Sequence, residues 1–402
     1  MAFRKQKTTD ITPEPPQNEY FESVSARLGI LQVLLYLALL AFVVLSFARN
    51  TELITYRNFY HFFRELTTSF EKIDVYKTES LAYSYDEEQS FALYRNGLAV
   101  AGNNAVTVFT ETGRQTVSQS LQYRNPVAKG SGKYLLVYEL GGTQYSLYNS
   151  YTQIHTGVTE RPIRGGAVSD CGMFAIVSSS EEHTSVVSLY SSNFALINRY
   201  GKQGYVMDLS INDDGSQIAL LISKVDAGIY HTNLVLHRPR TEDSGIEIKI
   251  GNALAWQCSY TADKTLAVLC ADGISTVRDG KVQSFFDFGD LTVTAYSADK
   301  NGIAVCLRDN VHSEKNQTVL FDKDGKVLYN ESVPHSCREI IREGNAVYIL
   351  HTAGVSRLDV KTKHITTYWC TTEQKTLLVQ NENEILLCSP QKADCIHRSS
   401  FS

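Results

Sequence analysis

The sequence predicts an all-β fold, a β-propeller of eight blades with seven as the alternative, preceded by one transmembrane α-helix. Three observations carry this. Residues 28–48 form an apolar run without a charge. From about residue 72 onward the chain reads as short strands punctuated by polar turns, with no convincing amphipathic helix. Those strands recur as a unit about 41 residues long, the repeat length of four-stranded propeller blades.

Residues 1–27 contain the Pro-rich acidic piece Pro13-Glu14-Pro15-Pro16 and read as a disordered tail. In residues 28–48 only Gln32 is clearly polar, and Arg27 and Arg49 bracket the run. About 20 residues at a rise of about 1.5 Å cross a bilayer core. The competing reading is a cleaved signal peptide, because Ser46 and Ala48 form a small-x-small pair. Signal peptides have a short basic segment and an apolar core of about 7 to 15 residues. The long leading tail and long apolar run fit a retained signal anchor better. Basic residues nearly balance across the span, with Arg4, Lys5, Lys7 and Arg27 before it and Arg49, Arg57 and Arg64 after it. A signal anchor leaves a short tail inside and exports the chain on its C-terminal side. The expectation is therefore a single-pass cell-membrane protein with a cytoplasmic N-terminus, lipid around the anchor, and an extracytoplasmic domain. Within residues 49–71, Tyr56, Phe59, Phe63, Leu66 and Phe70 fall three or four apart, the spacing of one face of an amphipathic juxtamembrane helix.

Residues 72–402 hold the repeat. Its first two strands are joined at Asn96-Gly97, Gly130-Ser131-Gly132, Asp170-Cys171-Gly172, Asp213-Asp214-Gly215, Asp263-Lys264, Asp299 to Gly302, Glu343-Gly344-Asn345 and Asn381-Glu382-Asn383. The second strands are Leu98 to Ala101, Tyr134 to Tyr138, Phe174 to Val177, Ile218 to Ile222, Leu266 to Cys270, Ile303 to Leu307, Val347 to Leu350 and Ile385 to Cys388. Continuous apolar runs between turns are what strands buried on both faces look like. Third strands end in turns at Thr112-Gly113, Asp279-Gly280 and Asp324-Gly325. The last unit has room for only three strands, and the lone strand Lys72 to Thr78 is expected to supply its fourth and leave no sheet edge open at the seam.

The repeat resembles the quinoprotein-like and WD40-like propeller repeat, in segments such as Val355-Ser-Arg-Leu-Asp359 and Thr318-Val-Leu-Phe-Asp322-Lys-Asp-Gly325. It lacks the repeated Trp-Asp dipeptide and the paired glycines of kelch blades. The whole chain is similar to a bacterial family, domain of unknown function 5711. The anchor and the runs Asn96-Gly-Leu-Ala-Val-Ala-Gly102, Tyr134-Leu-Leu-Val-Tyr-Glu-Leu-Gly-Gly142 and Asp213-Asp-Gly-Ser-Gln-Ile-Ala219 carry that likeness. The resemblance implies a membrane-anchored propeller and hands over no site residues.

A formal net charge of -5 with no long basic stretch excludes the nucleic-acid binders. The excess of Tyr, 23 against 17 Phe, reads as strand content or as a partner-binding face. Cys388 with Cys395, and Cys258 with Cys270, flank hairpins and suit disulfides in an exported domain. Yet Cys270, Cys306 and Cys388 lie in apolar second strands, where a thiol behaves as a small hydrophobe. No C-x-x-C, H-E-x-x-H or G-x-S-x-G occurs. Asp213-Asp214-Gly215 and Asp322-Lys323-Asp324-Gly325 lack the full calcium-loop spacing and read as turn chemistry. Asn316-Gln-Thr318 and Asn330-Glu-Ser332 match the glycosylation pattern. No catalytic, cofactor-binding or metal-ligating residue is nominated, and no cofactor. The leading expectation is a non-catalytic binding or scaffold module whose propeller face takes a protein or cell-envelope polymer. The alternatives are an exported quinoprotein-like enzyme, which needs a polar central pocket, and a ligand sensor, against which the short tail speaks.

Overall fold

The apolar second strands become the middle of eight four-stranded antiparallel sheets. The computed structural model describes residues 27–41 and 80–402, apart from 96, 150–151, 240–244, 263, 301, 310–315, 334–336 and 371–375. Blades one to seven span residues 89–120, 126–158, 165–202, 205–251, 255–287, 291–333 and 337–369, each running sequentially from its inner to its outer strand. The inner strands of successive blades touch all the way round, blade eight meeting blade one, so the ring is closed and has eight blades rather than seven. All eight predicted second strands lie in their predicted places.

The reason those strands are continuously apolar is visible in blade six, whose second strand is Gly302–Asp309. Ile303, Val305 and Leu307 pack with Ala267, Leu269 and Ile274 of blade five. The alternate residues Ala304 and Cys306 pack with Ile340, Val347 and Ile349 of blade seven. Both faces of each sheet are therefore core, and each large apolar side chain removed from water contributes about 1.5–3 kcal/mol.

Blade eight is completed from two ends of the chain. Thr376–Asn381, Glu384–Cys388 and Lys392–His397 supply three strands. The fourth is Ser80–Ala82, antiparallel to Lys392–His397 with Leu81 opposite Ala393. The expected closure is present, but its strand lies later in the chain than Lys72 to Thr78, which falls outside the described residues. The alternation that matters is at Ser80–Ala82, where Leu81 is buried between two exposed neighbours.

The N-terminal unit is a separate body. Its described part is a helix over 27–41, whose apolar side chains, Leu28, Ile30, Leu31, Val33 and Leu34 among them, are exposed. Among the described residues no helix is long and apolar enough to cross a membrane. The remainder of the predicted span, residues 42–48, and the predicted helix at 49–71 lie outside the described residues.

Candidate functional site

Inner strands put side chains at the central channel, and the first question is what they do there. Asp208 on Tyr205–Ile211 accepts the Cys258 amide N–H of blade five at 2.9 Å. Glu339 on Cys337–Glu343 accepts the Leu377 amide of blade eight at 2.6 Å. Ser90 Oγ accepts the Ala128 amide of blade two at 3.0 Å. The ladder shifts register between Val206 and Asp208 and between Cys337 and Glu339, which turns these side chains toward the next blade. Each thus satisfies an inner-edge amide that no strand pairs, and the carboxylates serve the ring as staples between blades.

Burial raises the Asp208 carboxyl above its ordinary range, against the pull of the Cys258 amide and the field of Lys129. Burial likewise raises Glu339, opposed by the Leu377 amide and Arg338. A raised carboxyl binds its proton more tightly folded than unfolded, so stability falls as pH rises from the unfolded carboxylate range, about 4, through the folded pKa. Asp208→Asn keeps an acceptor for the Cys258 amide and removes the charge. Its urea midpoint is expected to exceed the wild type's at pH 7, and the gap to close at acid pH. A midpoint at pH 7 below the wild type's would show that the charged hydrogen bond outweighs its desolvation.

Among the described residues a serine hydroxyl meets a histidine ring on the exposed surface, Ser399 Oγ lying 3.3 Å from His397 Nδ1, and again in the core of blade seven. His351 Nε2 lies 3.1 Å from Ser356 Oγ, and Ser356 Oγ lies 3.1 Å from Thr367 Oγ1. His351 Nδ1 accepts the Ala353 amide at 3.3 Å, so the neutral ring carries its proton on Nε2 and donates to the serine. That tautomer cannot take a proton from Ser356, and both residues are buried in blade seven. The pair is structural.

The acidic turns bind their own backbones. Asp322 Oδ1 accepts the amides of Asp324 and Lys326 at 3.0 and 2.8 Å, and Asp214 Oδ1 accepts that of Ser216 at 2.8 Å. The Ser216 amide, with the Ser216 hydroxyl, holds Asp214 below the usual carboxylate range. Among the described residues no three His, Cys, Asp or Glu side chains form a group that could hold a metal. Asn316 is buried, whereas Asn330 is exposed on the outer strand of blade six.

Exposed apolar and aromatic side chains gather at one end of blades four and five. The second and third strands of blade four, Ile218–Asp226 and Ile229–His237, are nine residues each. They outrun the inner strand, whose first residue Tyr205 pairs with Ser223. The extra length is a free hairpin that turns at Ala227 and Gly228, both with positive φ (48° and 81°), the two-residue turn that matches strand twist. Val225, Ile229 and Tyr230 on it are 58%, 51% and 44% exposed. At the same end Tyr205 is 58% exposed, with the Arg164 guanidinium 5.7 Å from its ring centroid. Met207 on the same inner strand and Trp256 on that of blade five are also exposed. Lys224, His231, Glu247 and Lys249 line a cleft beside the hairpin. Sequence reasoning ended this strand at Ile222 and missed the hairpin, because Ala227-Gly228 lacks the Asn-Gly or Asp-Gly signature. The usable signal was the stretch Lys224-Val-Asp-Ala-Gly-Ile-Tyr230, in which a two-residue turn divides two paired strand ends.

Residues 67–397 match DUF5711, described as a family of unknown function. The chain belongs to that family. No curated protein matches it. Among solved structures the DUF5711 propeller is similar to Saccharomyces cerevisiae Sqt1, with a TM-score of 0.60 and 11% identity over 80% of this chain and 99% of that one. It is similar to BamB from Moraxella catarrhalis, with a TM-score of 0.53 and 12% identity over 80% of this chain and 96% of that one. At such identities the likeness is one of fold.

The cysteines of the DUF5711 propeller are all thiols. Neither hairpin pair considered from sequence is brought together by register. Cys388 faces Ala393 while Cys395 faces Leu386, and Cys258 faces Val268 while Cys270 faces Ala255. Cys270, Cys306 and Cys388 are buried in their second strands. Cys306 of blade six and Cys337 of blade seven fall in one buried cluster between those blades.

Proposed function

We propose that this DUF5711 chain is a membrane-tethered, extracytoplasmic binding scaffold, without turnover of its own, that takes a protein partner at the blade-four hairpin. The observation that carries the reading is the gathering of Tyr205, Met207, Trp256, Val225, Ile229 and Tyr230 on one end of adjacent blades. Aromatic residues, Met and Arg are the types enriched in the buried cores of protein interfaces. Residues 224–231 of the hairpin pair only with one another, beyond the ends of the flanking strands, so what they present is available without unfolding the core. The closed ring holds it in place, because the inner-strand carboxylates are committed to neighbouring blades. The anchor reading is supported by the uncharged run of residues 28–48 and by a helix over 27–41 that is apolar on every side, a composition that suits lipid better than water.

A photoreactive amino acid at Tyr230, in the full chain in its own membrane, is expected to yield a discrete protein adduct on illumination. The adduct should fall at least tenfold with Tyr205→Ala and Trp256→Ala combined, since hot-spot aromatics cost about 2 kcal/mol or more each. A polydisperse carbohydrate adduct would replace the protein partner by an envelope polymer. No adduct there, with one at the opposite end of the ring, would move the site.

A further inference from the structure

The blade-four hairpin has two faces of different chemistry, because side chains alternate along its strands and no bulge interrupts their pairing from Ile218 opposite His237 to Asp226 opposite Ile229. One set of pairs, Leu221 with Leu234 and then Val225 with Tyr230, starts in the core shared with blade five and ends in exposed apolar side chains. The other set starts in the core shared with blade three, where Leu220, Ile222 and Val235 pack with Ala175, Val177 and Val187. Beyond Ile222 that face turns polar. Lys224 stands opposite His231, and on the outer strand Ile246–Gly251 the residues Glu247 and Lys249 stand opposite Val235 and Asn233. Lys224, His231, Asn233, Glu247 and Lys249 line a cleft of about 390 Å³. Across the joint, Lys202 ends the outer strand of blade three, Leu196–Lys202, on the face that puts Tyr200 into the core shared with blade four. Burial lowers the Lys202 ammonium below its ordinary range, and the Glu247 carboxylate opposes that effect.

The cleft holds more cations than anions. Its carboxylate, Glu247, already accepts the Asn233 side-chain amide and shares the joint with Lys202, Lys224 and Lys249. Asp226, the other acid on this face of the hairpin, sits at its tip and does not line the cleft. At the same end of the ring the Arg164 guanidinium adds a further cation over Tyr205. The chain as a whole carries a formal net charge of -5, so an excess of ammonium groups here runs against its composition. Like charges held around one concave joint repel one another, and an anion that enters relieves the repulsion and is steered in by the field. We propose that the cleft takes the aspartate and glutamate side chains of an acidic segment of the protein partner, while apolar side chains of that partner cover Val225 and Tyr230 on the opposite face of the hairpin. The inference rests on the reading of the hairpin as a protein-docking site and gives the partner its chemistry. Lysines are compact point charges that accept a carboxylate from any direction, and among the described residues the lining holds no arginine, whose planar fork suits phosphate. A segment that is acidic without apolar side chains, or apolar without acids, engages one face only.

The test places a photoreactive amino acid at Ile229, on the cleft side of the hairpin, and separately at Tyr230, on the other side, in the full chain in its own membrane. Both positions are expected to capture the same protein, and the crosslinked partner peptide to be rich in Asp and Glu by mass spectrometry. Lys224→Glu combined with Lys249→Glu should lower both adducts about tenfold, because attractions at the face become repulsions. Glu247→Gln should raise them, which a misfolded variant cannot do. Both lysines and Glu247 are exposed, so the thermal midpoints of these variants should match that of the wild type. A protein adduct at Tyr230 that is indifferent to charge reversal overturns the acidic segment and leaves the hairpin reading standing. A phospholipid or anionic polymer captured at Ile229, beside a protein at Tyr230, assigns the cleft to another anion and overturns it likewise. No adduct at either position sinks the hairpin reading, and this inference with it.

Discussion

Deleting Ser80–Ala82 from the full chain is expected to lower the thermal midpoint by more than ten degrees and to broaden or split the unfolding transition. The strand is only three residues long, yet it completes blade eight and so joins the two ends of the ring. Leu81 is 5% exposed and packs with Leu98, Val100 and Phe109 of blade one and with Leu386, Cys388 and Ala393 of blade eight. The seam continues in Tyr83, whose amide donates to the Gln391 carbonyl at 3.0 Å and whose hydroxyl donates to that of Ser389 at 2.6 Å. Leu81→Ala should cost about 2–4 kcal/mol, the usual loss for a buried leucine. Leu81→Asp should cost more, because an unpaired carboxylate would sit in an apolar seam. Against an ordinary domain stability of about 5–15 kcal/mol such a loss is a large fraction, and the deletion removes the strand's ladder hydrogen bonds as well. Removing residues 2–20, in the tail, is the control and should leave the midpoint unchanged. Circular dichroism and tryptophan fluorescence monitored together would show whether the ring opens at the seam before it melts. Coincident, unshifted transitions in the deletion would show that Ser80–Ala82 is dispensable.

The ring was legible in the sequence because its elements repeat: eight second strands such as Leu98 to Ala101 and Ile385 to Cys388 are apolar without interruption, and each comes after a polar turn. The closing strand was legible as a necessity and misplaced in position, since Lys72 to Thr78 and Ser80–Ala82 are both short stretches that a sequence pattern weights alike. What decides between them is the pairing of Leu81 with Ala393, a contact between opposite ends of the chain. The candidate face was much less legible. Tyr205 and Trp256 are single residues on separate inner strands, and their exposure at one end of adjacent blades is a property of the ring. Tyr148 and Tyr348, by contrast, are fully buried, so the tyrosine excess divides between core and surface in a way composition cannot resolve. The cysteines show the same limit, since hairpin spacing directed attention to Cys388 and Cys395, which register keeps apart. Local pattern reports what lies within a blade, whereas the candidate face is assembled from adjacent blades.

Gly130→Ala is expected to be among the more damaging single-methyl additions in the ring. In the sequence Gly130 reads as part of a turn with Ser131 and Gly132, but it ends the inner strand of blade two, Pro126–Gly130. A Cβ there would stand 1.8 Å from the backbone carbonyl oxygen of Leu93 in blade one. Leu93 is fixed in turn by its pairing with Leu98, so the carbonyl cannot yield without moving a strand. The glycine is needed for close approach of two inner strands, and no unusual φ is involved. Overpacking of this kind costs about 1–3 kcal/mol, and a backbone obstacle places it at the upper end. Two neighbours in kind provide the scale. At Gly132 the added methyl meets the Asp170 carboxylate at 2.9 Å, a side chain that can swing aside, so a smaller loss is expected. At Gly165, on the inner strand of blade three, the nearest atom is a Val177 methyl at 3.8 Å, an ordinary contact, and alanine should be neutral or slightly stabilising through the unfolded chain. Urea midpoints should therefore fall in the order Gly165→Ala, Gly132→Ala, Gly130→Ala. Because blade spacing sets where Tyr205 and the hairpin stand, photocrosslinking at Tyr230 should weaken in Gly130→Ala even at temperatures where the domain remains folded. Equal midpoints for Gly130→Ala and Gly165→Ala would mean that blades one and two can separate freely, and that the ring does not fix the proposed face.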